Sequence, residues 1–420
     1  MSKSNVEELE NLILTNFDGA DVHTGFILRD SKKKEKVLFD YKADYLFTPA
    51  SNTKILTFYA SKMYLDKYLN GYKYFERNDT TYFVGCGDPG FLNQRFEDQL
   101  AFSELRDKEN LVFVDLWNSD QRWGPGWSWD DYSYYYATER SIFPIYGNTV
   151  TFSSTPSGLE MVPGNFPTSV GNYNKGESVR RAESQNIFNI DKKWLKMNDQ
   201  DTVYIPFNWS GELFASLLSD TLRKTVKLVP SNSIGRKMDS GVSWKFVNGS
   251  SRDTVLRKMM YDSDNFIAEQ LLFNISSNWT NKLSSEAVID TMFTSVLKKW
   301  KGKVRWVDGS GLSRYNAFSP RFISEVLLNL YDFSSEEELF SYFPAGGVRG
   351  TIQDWYGDDD GPFVFAKTGT LTGVHCLSGY VKTKSGRTLI FSFMHNGYLG
   401  SSSKYKRKME IVLHWIRQNF

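Results

Sequence analysis

Cysteine, histidine and net charge are scarce in this sequence, and each scarcity argues against a class of function. Its two cysteines, Cys86 and Cys376, form neither a C-x-x-C pair nor a ligand cluster, so both read as free, buried thiols. The four histidines, at 23, 375, 395 and 414, lack metal-ligand spacing. That argues against a zinc site and against a Ser/His/Asp triad. Fifty basic side chains balance forty-nine acidic ones, which leaves no global field to recruit nucleic acid or an anionic membrane. No run approaches about 18 consecutive apolar residues. The start, Met1 to Glu8, lacks the apolar stretch of a secretory signal. As given, the chain reads as soluble and without a transmembrane segment.

At 420 residues the chain exceeds what one hydrophobic core usually organises, so two or three domains are expected. Aromatic residues reach 16%, with several Trp and Tyr between Trp117 and Tyr136. They read equally as a cleft for flat or amphipathic groups and as ordinary core packing.

Leu9, Leu12, Ile13 and Phe17 recur at helical spacing and predict a short amphipathic helix over 6–17. Gly25 to Arg29 and Lys36 to Tyr41 flank a charged turn and predict a β-hairpin. After Pro49, Ile55, Tyr59 and Met63 form one stripe, so Ser51 stands at the first turn of a helix with a buried face. Near the other end, 364–368, 377–382 and 388–394 read as strands, followed by a closing helix over 403–418. Together these ends predict one antiparallel sheet built from both, with the middle as an insertion. Residues 70–238 are rich in Gly, Asn, Asp and short β-type runs, among them Thr81–Val84, Asn110–Asp115 and Thr202–Ile205. The expectation is a catalytic part at 1–69 plus 239–420 and a mostly β accessory region at 70–238. That region divides into two nested modules, 70–150 plus 210–238, and 151–209.

Three short signals follow in order: Ser51-Asn-Thr-Lys54, Ser263-Asp-Asn265 and Lys367-Thr-Gly369. Each alone is weak, since S-x-x-K recurs at Ser31, Ser295, Ser401 and Ser403. Context gives them weight: the first opens a striped helix, the second precedes a helix, and the third lies on a strand. Residues three apart on a helix lie about 5–6 Å apart at Cβ, so Lys54 reaches the Ser51 hydroxyl. To serve as a base it must fall from about 10.4 toward about 7–8, which burial and a second cation, Lys367, would both favour. The alternative for Lys54 is a snorkelling surface lysine. Ser263 and Asn265 are spaced to face a cleft from an irregular turn, or simply to cap the helix that follows.

These three motifs, with Gly124–Asp131, Asp308–Asn316, Gly346–Thr351 and Gly85-Cys-Gly-Asp-Pro89, resemble the class C low-molecular-mass penicillin-binding proteins, the D-alanyl-D-alanine carboxypeptidase/endopeptidase family. The resemblance spans nearly the whole chain and implies a penicillin-binding, serine β-lactamase-like α+β core, an antiparallel sheet flanked by helices. Cys86 stands where the family usually has glycine. By this resemblance Ser51 attacks the carbonyl between two D-alanines, Lys54 accepts its proton and Ser263 protonates the leaving amine. Lys367 and Thr368 take the terminal carboxylate and Asn265 the substrate backbone. The N–H groups of Ser51 and Thr370, beside Gly369, form the oxyanion hole. Asp130 (or the adjacent Asp131), Trp127 and Tyr135 would meet the amino end of a diaminopimelate side chain. No metal or organic cofactor is implied. The implied partners are the peptidoglycan stem peptide and covalent β-lactams, with peripheral cell-wall association and a periplasmic or extracytoplasmic location that follows from the substrate.

Three rival readings remain. A β-lactamase or esterase would share the motifs, and Glu325-Val-Leu-Leu-Asn329 fits E-x-x-L-N, although it lies in an apolar helical pattern. A non-catalytic scaffold would be expected to have lost Ser51, Lys54, Ser263, Asn265 or Lys367. A nucleic-acid or carbohydrate module would rest on the tryptophans alone.

Overall fold

The structure is a computed structural model that describes residues 3–19, 21–33, 36–116, 122–156, 158–172, 177–197, 202–230, 242–279 and 283–420. Trp117 and the domain boundary expected at 238/239 lie outside the described residues.

The apolar stripe of Leu9, Ile13 and Phe17 buries the helix Lys3–Phe17 on one side. The expected hairpin follows as β1 (His23–Asp30) and β2 (Val37–Tyr41), with Phe26 opposite Tyr41. A single 3₁₀ turn, Ala50–Thr53, then leads into the helix Lys54–Tyr64, whose Ile55, Leu56, Phe58 and Tyr59 are buried.

The insertion opens with β3 (Tyr68–Arg77), β4 (Thr80–Gly85) and β5 (Asn110–Asp115). Next come β6 (Thr149–Thr155), β7 (Gly158–Val162), β8 (Thr168–Gly171), β9 (Val179–Arg181), β10 (Phe188–Asp191) and β11 (Thr202–Pro206). These six make two three-stranded sheets, ordered β11-β6-β7 and β8-β10-β9, over the region assigned to the inner nested module. β12 (Val226–Pro230) and β13 (Lys245–Ser251) then complete a five-stranded sheet, β12-β5-β4-β3-β13.

The insertion is mostly β, as expected, but its outer part also carries helices between its strands. β4 pairs parallel with β5, and β5 with β12, and parallel neighbours require crossover connections. The helices Leu100–Arg106 and Gly211–Leu222 lie on those crossovers. The second buries Phe214, Leu217, Leu218 and Leu222 at helical spacing and is capped by the Ser210 hydroxyl, which accepts from the Leu213 N–H at 3.1 Å. The sheet also includes residues 245–251, which the sequence analysis assigned to the catalytic part. β13 pairs antiparallel with β3, Val247 opposite Tyr72, a long-range contact that local patterning does not reveal.

Finally β14 (Val364–Leu371), β15 (Val374–Lys382) and β16 (Thr388–Asn396) join the N-terminal hairpin in the order β14-β15-β16-β1-β2. One face of this sheet packs on the terminal helices Lys3–Phe17 and Ser403–Asn419, through Leu9, Ile13, Phe393, Leu413 and Ile416. The other face packs on the helical lobe, through Cys376, Tyr380, Ile390 and Met394. The insertion has a core of its own around Phe83, Phe113, Phe143 and Phe214.

Candidate active site

Ser51 sits within the 3₁₀ turn, half-buried, where the helical lobe meets the β14 edge. Two glycines permit that close approach. A Cβ on Gly369 would lie 2.8 Å from the Ser51 nitrogen, and one on Gly311, whose φ is +82°, would lie 1.9 Å from the Ala50 carbonyl oxygen. Asn52 ties the turn to the strand through Nδ2, which donates to the Lys367 carbonyl at 2.9 Å.

Lys54 is fully buried, which rules out the snorkelling alternative. Its Nζ donates to Ser51 Oγ at 2.9 Å, to Asn265 Oδ1 at 2.6 Å and to the Ser310 carbonyl at 2.7 Å. The three contacts use every N–H of the ammonium. Loss of the proton shared with Ser51 leaves a lone pair aimed at its hydroxyl. Burial lowers the Lys54 pKa to about 8, against the pull of Asp308, Asp264 and Glu269, which raise it.

Beneath Lys54 lies a polar network that the motifs alone did not expose. Glu269, fully buried, accepts from the Ser310 N–H at 2.8 Å, and Arg140 Nη1 stands 3.5 Å from its other oxygen. Burial and the nearby Asp308 push the Glu269 carboxyl above the ordinary range. Asp308 accepts from Gly311 N at 2.9 Å, Ser313 N at 2.7 Å, Asn316 Nδ2 at 2.7 Å and Trp127 Nε1 at 3.0 Å. The only signal of this in the sequence was the Asp308–Asn316 motif, which carried no assigned role.

Ser263 and Asn265 divide their labour with the residue between them. Asp264 caps the helix Asn265–Ser277, accepting from the Ile267 N–H at 2.8 Å. The capping reading therefore holds for Asp264 alone. Ser263 adopts a left-handed φ of +57°, and its hydroxyl accepts from Lys367 Nζ at 2.8 Å. Such backbone conformations cost of order 1–3 kcal/mol and persist where surrounding contacts over-determine them. Here the brace is Arg95 of the insertion, which bonds Asp262 at 2.7 Å and also pairs with Asp264. Asn265 spends Oδ1 on Lys54, and its Nδ2 donates to the Tyr136 carbonyl at 2.8 Å. One N–H of that amide remains for a substrate backbone.

Lys367 is fully buried, and its Nζ also donates to the Thr368 carbonyl at 2.8 Å. Burial first, and the neighbouring Lys54 second, push its pKa well below the usual lysine value. The two lysines repel each other, and that repulsion favours the neutral form of either one while its neighbour is charged. Thr368 Oγ1 donates to Thr351 Oγ1 at 2.7 Å, which brings the Gly346–Thr351 segment to the same end of the cleft.

The backbone of β14 is oriented by its neighbours. Ala366 N–H donates to Pro344 O at 3.1 Å, and Val364 O accepts from Gly346 N–H at 2.9 Å. Even-numbered residues therefore turn their amides to the free edge of the sheet. Alternation carries this to Thr368 and Thr370, whose N–H groups flank Gly369 beside Ser51.

The insertion residues divide differently. Trp127 reaches the site, but its indole N–H is taken by Asp308. Tyr135 is 66% exposed and lines a cavity of about 700 Å³ that also meets Asp262, Asp264 and Arg95. Asp131 accepts the Tyr136 phenol at 2.9 Å. Asp130 is exposed and, among the described residues, makes no hydrogen bond or ion pair with the rest of the site.

Glu325 lies on the helix Pro320–Phe333 and is held by Trp300 Nε1 at 2.9 Å and Lys299 at 2.5 Å. It has no contact with Ser51 among the described residues. His375 and His395 are buried against threonines, with Nδ1 of each 2.8 Å from Thr370 Oγ1 and Thr24 Oγ1 respectively. Among the described residues no group of three or more His, Cys, Asp or Glu is arranged to hold a metal ion. Cys86 and Cys376 are free and buried, and burial raises each thiol to about 12. No described helix is long and apolar enough to cross a membrane.

The D-alanyl-D-alanine carboxypeptidase DacB of Haemophilus influenzae is 25% identical, over 95% of this chain and 90% of its own length. The crystal structure of penicillin binding protein 4 (dacB) from the same organism superposes with a TM-score of 0.74 at 20% identity, covering 98% of this chain and 99% of that one. Bd3459, a peptidoglycan endopeptidase of Bdellovibrio bacteriovorus, shares the fold at a TM-score of 0.54 and 15% identity, covering 95% and 94%. The family model described as D-Ala-D-Ala carboxypeptidase 3 (S13) matches residues 12–418, and the chain belongs to that family.

Proposed function

We propose that this serine D,D-peptidase works through a Ser51 acyl-enzyme, releasing the terminal D-alanine of a peptidoglycan stem peptide and opening D-alanyl cross-links. The observation that carries the reading is Lys54, fully buried, with its nitrogen 2.9 Å from Ser51 Oγ and its pKa lowered to about 8.

In the first step neutral Lys54 takes the Ser51 proton as Oγ bonds to the carbonyl carbon. The carbonyl oxygen becomes an oxyanion facing the N–H groups of Ser51 and Thr370; losing one such donor typically costs about 10²–10³ in rate. The C–N bond then breaks, and the departing D-alanine nitrogen receives a proton through Ser263 from the lysine pair. Water next attacks the ester and gives its proton to Lys54, which restores Ser51. The substrate's terminal carboxylate meets Lys367, Thr368 and Thr351. A carboxylate there supplies the counter-charge that buried Lys367 lacks and favours its cationic form, whose repulsion then favours the neutral form of Lys54.

Asp130, beside Tyr135 and the ring of Trp127, would meet the amino end of a diaminopimelate side chain. Engagement of Asp131 by Tyr136 supports that choice between the two. β-Lactams acylate the same serine; the Haemophilus influenzae fold relative has a structure in complex with a β-lactam. Action on cell-wall peptide implies an extracytoplasmic location, the periplasm in a Gram-negative cell. The division into a catalytic unit from both chain ends and an inserted accessory unit is part of this reading and is supported by their separate cores.

Intact-protein mass spectrometry after exposure to benzylpenicillin, with Ser51→Ala as control, tests the proposal. A single adduct absent from the variant is the expected result. An intact antibiotic with no adduct would overturn it in favour of an idle scaffold, and rapid loss of the antibiotic with no adduct would indicate a β-lactamase.

A further inference from the structure

Four side chains form one row across the central sheet. The strand registers place Thr370 of β14 opposite His375 of β15, His375 opposite His395 of β16, and His395 opposite Thr24 of β1. Directly opposed residues in antiparallel strands share a face. The row lies on the face covered by the terminal helices, where His395 stacks on Phe17 at 4.9 Å between ring centres. At its two ends the hydrogen bonds are matched, each histidine Nδ1 standing 2.8 Å from a threonine Oγ1.

Both rings are wholly buried, and among the described residues neither Nε2 has a hydrogen-bond partner. A neutral imidazole carries one N–H. With no partner at Nε2, that hydrogen is satisfied only at Nδ1, where the threonine oxygen accepts it. The row therefore donates outward at both ends, and its β14 end is Thr370. Thr370 needs such an anchor: it is exposed and one residue from the end of β14, where pairing frays. Its N–H points to the free edge beside Ser51.

On the reading of the active site given above, we propose that His375, backed by His395 and Thr24, is a positioning residue that clamps the Thr370 side chain and thereby holds the Thr370 N–H at the oxyanion. The histidine touches no substrate and acts through the strand. An unclamped Thr370 swings about the strand axis and takes its N–H off the developing charge.

The test is steady-state hydrolysis of an N-acylated peptide ending in D-Ala-D-Ala, with the benzylpenicillin acylation rate and melting temperature measured in parallel. His375→Leu and Thr370→Val should each lower kcat and the acylation rate by about tenfold with KM little changed, and the double variant should be no slower than either single one. The amide nitrogen of His375→Asn falls near Nδ1, so this variant should recover most of the rate, whereas His375→Gln should not. Thr370→Val keeps every buried ring in place, so it tests the clamp even where His375→Leu folds poorly. Losses that multiply in the double variant, an Asn variant as slow as the Leu variant, or wild-type kcat in Thr370→Val would each overturn the clamp. A wild-type protein that neither turns over the peptide nor takes up penicillin would instead remove the active-site reading on which the clamp rests.

Discussion

Lys54 and Lys367 are both fully buried, yet they keep different company. Behind Lys54 stand Asp308, Asp264 and Glu269, which restrain the fall that burial imposes and leave its pKa at about 8. Lys367 has no carboxylate among its causes of shift; burial and Lys54 both act downward. Two lysines of the same burial are thus poised for different events. Lys54 stands close enough to neutrality to exchange a proton with Ser51, as the proposed mechanism requires. An anion arriving from outside would favour the cationic form of Lys367, and on the proposed mechanism that anion is the carboxylate at the end of the substrate.

Replacing the better-compensated lysine should break this contrast most severely. Lys54→Met removes the proton acceptor and should lower the acylation rate by about 10³–10⁴, read from the growth of the benzylpenicillin adduct with time. Next in size is Lys367→Met. Wild-type protein should prefer a peptide with a free terminal carboxylate over its C-terminal amide by about 10²-fold in kcat/KM, and the variant should lose most of that preference. A comparable preference in the variant would place carboxylate recognition elsewhere.

The pH profile sharpens the contrast further. Because the folded-state pKa of Lys54 lies below its usual 10.5, folding disfavours the protonated form, and the penalty is complete below about 8 and relieved between about 8 and 10.5. On the proposed mechanism the catalytic form is the deprotonated one. kcat/KM should therefore climb with pH and bend near 8, falling about tenfold per unit on the acid side. A flat profile from pH 6 to 9 would mean that Lys54 is not the base. The smallest effect is expected at Glu325, which Trp300 and Lys299 already hold. Glu325→Gln should leave the release of bound penicillin unchanged, whereas a slowed release would revive the β-lactamase reading.

What the sequence disclosed was local in origin. Ser51 and Lys54 share one turn, and Lys367 and Gly369 share a strand, so spacing alone placed each motif on its element. The two-ended sheet was legible as well, because β1, β15 and β16 are apolar runs with clear turns. The brace from Arg95 to Asp262 and Asp264 joins residues with no shared pattern, and nothing in a linear reading couples them. The left-handed Ser263 was invisible for the same reason: its conformation is imposed by those distant contacts. The three carboxylates behind Lys54, Asp308, Asp264 and Glu269, were not legible either, because they reach it from segments distant in the chain. In the insertion, short β-type runs masked the crossover helices that two parallel pairings require.

The pairing of β1 with β16, His23 opposite Asn396, has a consequence for how the protein is made. In a chain emerging from the ribosome, β1 and β2 precede β16, the strand that separates them from β15, by the whole of the insertion and the helical lobe. Until β16 emerges the hairpin presents an unpaired apolar edge. The insertion, whose core is drawn almost wholly from residues 72–226, has its material much earlier. The insertion should accordingly fold before the catalytic sheet closes, and Ser51 should become competent only once β14, β15 and β16 have emerged, so a fragment ending before Val364 would be a folded accessory unit attached to an inert Ser51.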